Sequence, residues 1–322
     1  MAATLQDSEK GTEKMEKVAV VGAGLMGHGI AQVFALEGFS VSLTDIKPDV
    51  LDAAVKNVRA NLDLLAGQGI AQKQAVEPAM ERITTTTNLA QAVKDADFVV
   101  EAVIENLGLK QKLFQDLDKI CHRNAILATN TSVISITEIA AHTRHKERVV
   151  GTHFWNPPYL IPLVEVIRGD HTADTVMDRT IAILNLVGKH PVRVHKDVPG
   201  FVGNRLQHAL WREAISIVEL GIADAATVDE CVKYGFGLRL PVLGPMENSD
   251  LVGTDLTLAI HDYILKHLER SPEPSPLLRQ IVARGNLGFK SGRGFQQWSA
   301  EDIQNTHTRL KTYLLKVISQ SK

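Results

Sequence analysis

Of the twelve histidines in the chain, His153 is set apart by its neighbours. It lies in Gly151-Thr152-His153-Phe154-Trp155-Asn156-Pro157-Pro158, at the end of a strand-like run and just before a break. A neutral imidazole there suits removal of a hydroxyl proton while hydride leaves the same carbon, because its pKa lies near working pH. Further on, Glu165 interrupts the apolar run Leu163-Val164-Glu165-Val166-Ile167, where an unpaired charge is costly. A turn between the two runs would set Glu165 against His153, fixing the tautomer and stabilising the imidazolium. Patterning alone allows a second reading, a sheet-edge carboxylate facing water.

Two polar residues join this candidate crevice. Ser132 ends Asn130-Thr131-Ser132, directly after the apolar run Ile126–Thr129. There it can hydrogen-bond a reacting oxygen, or it can cap the helix that Ser135 and Glu138 begin. Asn204 stands in Gly200-Phe201-Val202-Gly203-Asn204-Arg205. Its amide can reach across an interdomain cleft or be a polar member of a first helical turn.

A second motif binds rather than reacts. Gly22-Ala23-Gly24-Leu25-Met26-Gly27 is GxGxxG, placed directly after the apolar strand Val18–Gly22 and opening a helix. The first glycine allows the tight turn, the second lets backbone approach a pyrophosphate, and the third lets helix and strand pack closely. Helix N–H groups and the helix dipole then face the phosphates. Asp45 ends the second strand, where a carboxylate hydrogen-bonds a ribose 2′-hydroxyl and repels a 2′-phosphate. NAD is therefore favoured over NADP. Asp45 can also cap the helix that starts near Pro48, and Lys47 beside it weakens the discrimination.

Positioning these groups requires a sheet. Strand-like runs fall at Val18–Gly22, Val41–Asp45, Ile83–Thr86, Phe98–Glu101 and Ile126–Thr129, separated by helical patterns, as stacked βαβ units are. Val149–Phe154, Leu163–Ile167 and Pro191–His195 extend the sheet, partly antiparallel. Beyond Lys196 come amphipathic segments at Phe201–Gly221, Ala225–Tyr234, Leu251–Glu269 and Glu301–Ile318, with no convincing strand. The expected fold is α/β: an N-terminal Rossmann-type doubly wound sheet, mostly parallel with an antiparallel extension, plus an all-helical C-terminal domain. Residues 1–15 read as a disordered tail, 16–197 as the NAD-binding domain and 198–322 as a helical substrate and dimerisation domain.

Composition narrows the partners. Hydrophobic residues make up 44% and charged residues 22%, with a net charge of −2. Scattered charges of both signs favour neither nucleic acid nor a membrane surface, and no apolar run reaches spanning length. Cys121 and Cys231 are far apart, which suggests neither a disulfide framework nor a metal site and fits a cytoplasmic setting.

The ordered set of GAGLMG at 22–27, EAVIENLGLK at 101–110, NTS at 130–132, HFWNP at 153–157, LVEVI at 163–167, PGFVGNR at 199–205 and GFKSGRGF at 288–295 resembles the L-3-hydroxyacyl-CoA dehydrogenase family. The resemblance implies that His153 and Glu165 form the catalytic dyad. It implies that Ser132 and Asn204 contact the substrate oxygen, and that Glu105 and Lys110 line the nicotinamide side of the cofactor. It also implies a homodimer joined through the helical domain, and oxidation of a 3-hydroxyacyl-CoA to its 3-oxo form. NPPYLIP at 156–162 looks more like CoA-independent relatives of that family, the lambda-crystallin/L-gulonate dehydrogenase group and a pyridine-carboxylate dehydrogenase, which implies a small hydroxy acid or hydroxymethyl compound as the alternative substrate. His28 stands where a small residue is usual. A CoA substrate would call for cations near its phosphates, and Lys56, Arg59, Lys73 and Arg82 are the supply at 48–82. A non-catalytic NAD-binding protein would need none of His153, Glu165, Ser132 and Asn204.

Overall fold

The computed structural model describes residues 17–320, so the tail expected at 1–15 lies outside the described residues. Eight strands form one sheet. They are β1 (Lys17–Val21), β2 (Ser40–Thr44), β3 (Ile83–Thr86), β4 (Phe98–Glu101), β5 (Ile126–Thr129), β6 (Val149–Phe154), β7 (Leu163–Ile167) and β8 (His190–Val194). Their spatial order is β3-β2-β1-β4-β5-β6-β7-β8. Every pairing is parallel except β6 with β7.

Thirteen α-helices accompany them among the described residues: α1 (Gly27–Leu36), α2 (Pro48–Gly67), α3 (Val76–Glu81), α4 (Leu89–Val93), α5 (Leu107–Ile120), α6 (Ile136–Ile139), α7 (Asp174–Leu186), α8 (Gly203–Glu219), α9 (Ala225–Tyr234), α10 (Pro245–Val252), α11 (Thr254–Ile264), α12 (Pro276–Ala283) and α13 (Ala300–Gln320).

The central strands are apolar on both faces because both faces are covered. Alternation along β1 sends Val18 and Val20 into one core layer with Ile30 and Phe34 of α1 and Leu51 and Val58 of α2. Ala19 and Val21 point the other way, into a layer with Phe114 and Leu117 of α5. Each valine, leucine, isoleucine or phenylalanine side chain so removed from water contributes about 1.5–3 kcal/mol. Helix α2 starts on Pro48 and carries Asp49 in its first turn, a fixed φ and a charge that both suit a helix N-terminus. Helix α5 is capped by Asn106, which accepts from the Leu109 N–H.

The chain divides into two compact units, one reaching to Asn204 and resuming at Thr312, the other spanning Arg205–Lys311. Within the second, the Glu219 carboxylate accepts from the Ser275 hydroxyl at 2.7 Å and the Leu277 N–H at 3.1 Å. Glu213 accepts from the Glu269 N–H at 2.7 Å. The amphipathic run expected as one helix over 251–269 is broken: α10 ends at Val252, Gly253 adopts φ 105°, and α11 starts at Thr254. Only glycine takes that conformation cheaply. Helices α4 and α12 and the first part of α10 fall outside the amphipathic runs read from the sequence.

Candidate active site

Strands β6 and β7 are in register with His153 opposite Glu165, so both side chains share a face and meet. His153 Nδ1 lies 2.8 Å from Glu165 Oε2, and both residues are buried. Of the two readings open for Glu165, the water-facing edge is therefore excluded. Its other oxygen, Oε1, accepts from the backbone N–H groups of Val202 and Gly203, each at 2.9 Å. Gly200 (φ 77°) and Phe201 (φ 49°) are both left-handed, and this turn delivers two successive amides to one anion. A left-handed phenylalanine costs about 1–2 kcal/mol, offset here by near-complete burial of its ring. Burial would raise the Glu165 pKa, but the imidazole and the Gly203 and Val202 amides outweigh it and hold the carboxyl below its ordinary value.

Two aromatic rings confine the imidazole: Trp155 at 5.3 Å and Phe201 at 5.8 Å between ring centroids. With Nδ1 committed to Glu165, Nε2 is the nitrogen left for a substrate. Sequence reading did not assign a role to Trp155, Phe201 or the two amides.

The carboxyl ends of β4 and β5 carry a second cluster. Glu101, fully buried, accepts from Lys110 Nζ at 2.6 Å, the Val103 N–H at 2.7 Å and the Thr129 hydroxyl at 2.6 Å. Lys110, also buried, lies 3.3 Å from Glu105. Glu105 accepts from the Thr131 hydroxyl at 2.6 Å and the Ser132 N–H at 2.7 Å. Burial pushes its pKa up, and these donors with the Lys110 ammonium bring it below the usual carboxylate range. Glu101, the anchor of the cluster, was not singled out from the sequence. Its signal is a carboxylate closing an otherwise apolar strand.

Ser132 is thereby strung between two partners, since Asn204 Nδ2 donates to its carbonyl oxygen at 2.9 Å. The cap of α6 is Ser135 and not Ser132. Asn204 lies in the first turn of α8. No hydrogen bond joins His153 to Ser132 or Asn204 among the described residues.

The glycine loop fits a dinucleotide. A Cβ on Gly22 would stand 2.6 Å from the Ala102 carbonyl, and one on Gly27 would stand 1.7 Å from the Gly22 carbonyl. A Cβ on Gly24 would meet nothing within 4 Å, so that backbone lies open to a phosphate group. Leu25 is exposed and Met26 half-buried beside it. Asp45 accepts from the Ala23 N–H at 2.9 Å and the Lys47 N–H at 3.2 Å, which ties it to this loop. It does not cap α2, whose N-cap residue is Lys47. His28 Nδ1 lies 2.8 Å from the Gly24 carbonyl. Of the cations at 48–82, Arg59 pairs with Glu77 and Arg82 donates to the Ala35 carbonyl at 3.2 Å. Lys56 and Lys73 are exposed.

Residues 17–198 match the family model described as 3-hydroxyacyl-CoA dehydrogenase, NAD binding domain, and residues 200–298 match its C-terminal domain. The chain belongs to the 3-hydroxyacyl-CoA dehydrogenase family. It is 40% identical over 286 residues to a probable 3-hydroxybutyryl-CoA dehydrogenase of Bacillus subtilis, covering 88% of this chain and 98% of the relative. It is 34% identical over 290 residues, 90% of this chain and 93% of the relative, to the 5-formyl-3-hydroxy-2-methylpyridine 4-carboxylate 5-dehydrogenase of Mesorhizobium japonicum. A crystal structure of a dehydrogenase of that same name, described as an NAD+-dependent dismutase, superposes with a TM-score of 0.87 at 33% identity, over 94% of this chain and 97% of that one. A (S)-3-hydroxybutyryl-CoA dehydrogenase from Ralstonia eutropha superposes at 0.75 with 38% identity, over 88% and 99%. As a member of the 3-hydroxyacyl-CoA dehydrogenase family the protein is an NAD-dependent oxidoreductase acting on CH–OH. The family includes relatives that act on CoA esters and relatives that act without CoA.

Proposed function

We propose that this dehydrogenase interconverts a 3-hydroxyacyl-CoA and its 3-oxo form, with His153 as the general base. The contact that carries the reading is the 2.8 Å His153–Glu165 pair, which fixes the tautomer and leaves Nε2 to take the C3-hydroxyl proton. Glu165 stabilises the imidazolium so formed. The Ser132 hydroxyl holds the reacting oxygen, and the second Nδ2 hydrogen of Asn204 reaches the same atom while the first holds the Ser132 carbonyl. Glycines 22, 24 and 27 with Leu25, Met26 and Asp45 hold the cofactor, and Glu105 and Lys110 line its nicotinamide side. NAD, when bound, supplies the hydride acceptor. The B. subtilis and R. eutropha relatives, named for CoA substrates, support the acyl-CoA assignment.

A second reading keeps the chemistry and drops the CoA. It is favoured by Pro157–Pro162, by the engagement of Arg59 and Arg82 within the fold, and by the pyridine-carboxylate relative at a TM-score of 0.87. A panel of acetoacetyl-CoA, free 3-oxo acids and aromatic aldehydes, read by NADH absorbance, separates the two. Fast turnover of a free acid with none of any CoA ester would sink the acyl-CoA assignment. His153→Asn is expected to lower kcat by roughly 10²–10⁴-fold while NADH binding, followed by fluorescence, survives.

The protein is further proposed to act as a homodimer joined through its helical unit. Between Arg205 and Lys311, Ser216 alone is buried, so these helices lack an apolar core of their own. A second copy of the same face is the occupant that supplies one. No helix among the described residues is long and apolar enough to cross a membrane. The free thiols of Cys121 and Cys231 support placing the reaction in the reducing cytoplasm.

A further inference from the structure

The chain continues past the family-matched segment, which ends at residue 298, into the 21-residue helix α13. The closing turns of this helix return to the first unit. There Leu315 is buried in a cluster with Leu65 at the end of α2 and Leu160, and Leu314, Ile318 and Tyr159 pack against it. Positions 314, 315 and 318 share one face of a helix.

Leu160 belongs to the loop that joins β6 to β7, and therefore joins His153 to Glu165. This loop is fastened at three points. From α13 it receives the Leu315 contact. From the residue just before β8, Lys189 Nζ donates to the carbonyls of Pro158 and, at 3.1 Å, Ile161. Against α1, it packs so closely that a Cβ on Gly29 would stand 3.1 Å from Pro158 Cδ. Trp155, at the mouth of the loop, packs at a tilt against the His153 ring, with ring centroids 5.3 Å apart. A slide of the loop would shift Trp155 against the His153 ring and so disturb the placement of the imidazole, and misplacement by about 1 Å at a reacting group can cost 10²-fold in rate.

We propose that the closing turns of α13, through Leu315, and Lys189 are positioning elements for the His153–Glu165 pair, acting on the loop between them. The inference rests on His153 being the base, so its test needs a readout that survives if that assignment fails. The chain has three tryptophans. Replacing Trp211 and Trp298 by Phe leaves Trp155 as the reporter, and Leu315→Asp and Lys189→Met are made in that background. The expected result is a kcat lowered about ten-fold or more, NADH affinity within two-fold, greater acrylamide quenching of Trp155, and recovery in Leu315→Met. Should Leu315→Asp fail to fold, Leu315→Ala and Lys189→Met carry the same comparison. Unchanged quenching and kcat in these variants would overturn the proposal. A parallel loss of kcat and NADH binding would overturn it too, since that is what general destabilisation produces. If the parent turns over nothing on the substrate panel, the functional reading fails, and Trp155 quenching still decides whether Leu315 and Lys189 hold the loop.

Discussion

A carboxylate buried with three donors is a committed anion. Glu165 accepts from His153 and from the amides of Val202 and Gly203, so Glu165→Gln would force an NH₂ against one of them. We expect kcat to fall by roughly 10²-fold or more, by analogy with the loss when a triad aspartate becomes an amide, with NADH affinity retained. Lys189 gives a pH signature of the same sign as that of Glu165, in an alkaline window. Burial lowers its pKa from 10.5 to about 8. Between those values the unfolded chain holds a proton that the native state has released, so this group makes stability rise with pH across that window and gives least below pH 8. Thermal melts from pH 7 to 10.5 should show that upward contribution in wild type and lose it in Lys189→Met; identical pH slopes would refute it. The meeting of His153 and Glu165 was one of two readings the sequence left open, and antiparallel register decided between them. The amides that complete the site were not legible, because nothing in the identity of Phe201 announces a left-handed backbone.

At the scale of elements, β4 and α5 are tied by a buried ion pair between Glu101 and Lys110. Removing one partner of such a pair leaves an uncompensated charge and costs about 3–5 kcal/mol. Lys110→Met is expected to lose that much in urea denaturation. Lys112→Met, which breaks an exposed i,i+4 pair with Asp116 on the same helix, should lose about 0.5 kcal/mol or less. Equal losses would show that burial is not the cause. The central strands β4 and β5 were legible as apolar runs, because a sheet covered on both faces leaves little room for other residues, while the edge strands β3 and β8 were legible from their β-branched residues. The helices read less well. Five-residue α4 and eight-residue α12 span too few turns to display a period. The break at Gly253 falls inside a run whose apolar pattern continues through it. Ser132 was read beside a helix start correctly, but the cap itself belongs to Ser135.

For the molecule as a whole, the unmet core of Arg205–Lys311 is the dominant fact. Leu251, Leu258 and Tyr263 are 71%, 63% and 75% exposed, far more apolar surface than an isolated soluble domain usually presents. Sedimentation equilibrium should therefore give about twice the 35.3 kDa of one chain, with a melting temperature that rises with protein concentration. A monomer whose melting temperature is independent of concentration would refute this. The sequence showed these helices to be amphipathic but could not show which of their faces stay uncovered. Helix α13 has one more consequence, for biosynthesis. Leu314, Leu315 and Ile318 leave the ribosome well after Leu65 and Leu160, which they cover. The nascent sheet must therefore wait with that apolar seat open until α13 has been made, a window in which a chaperone or a wrong partner can compete for it.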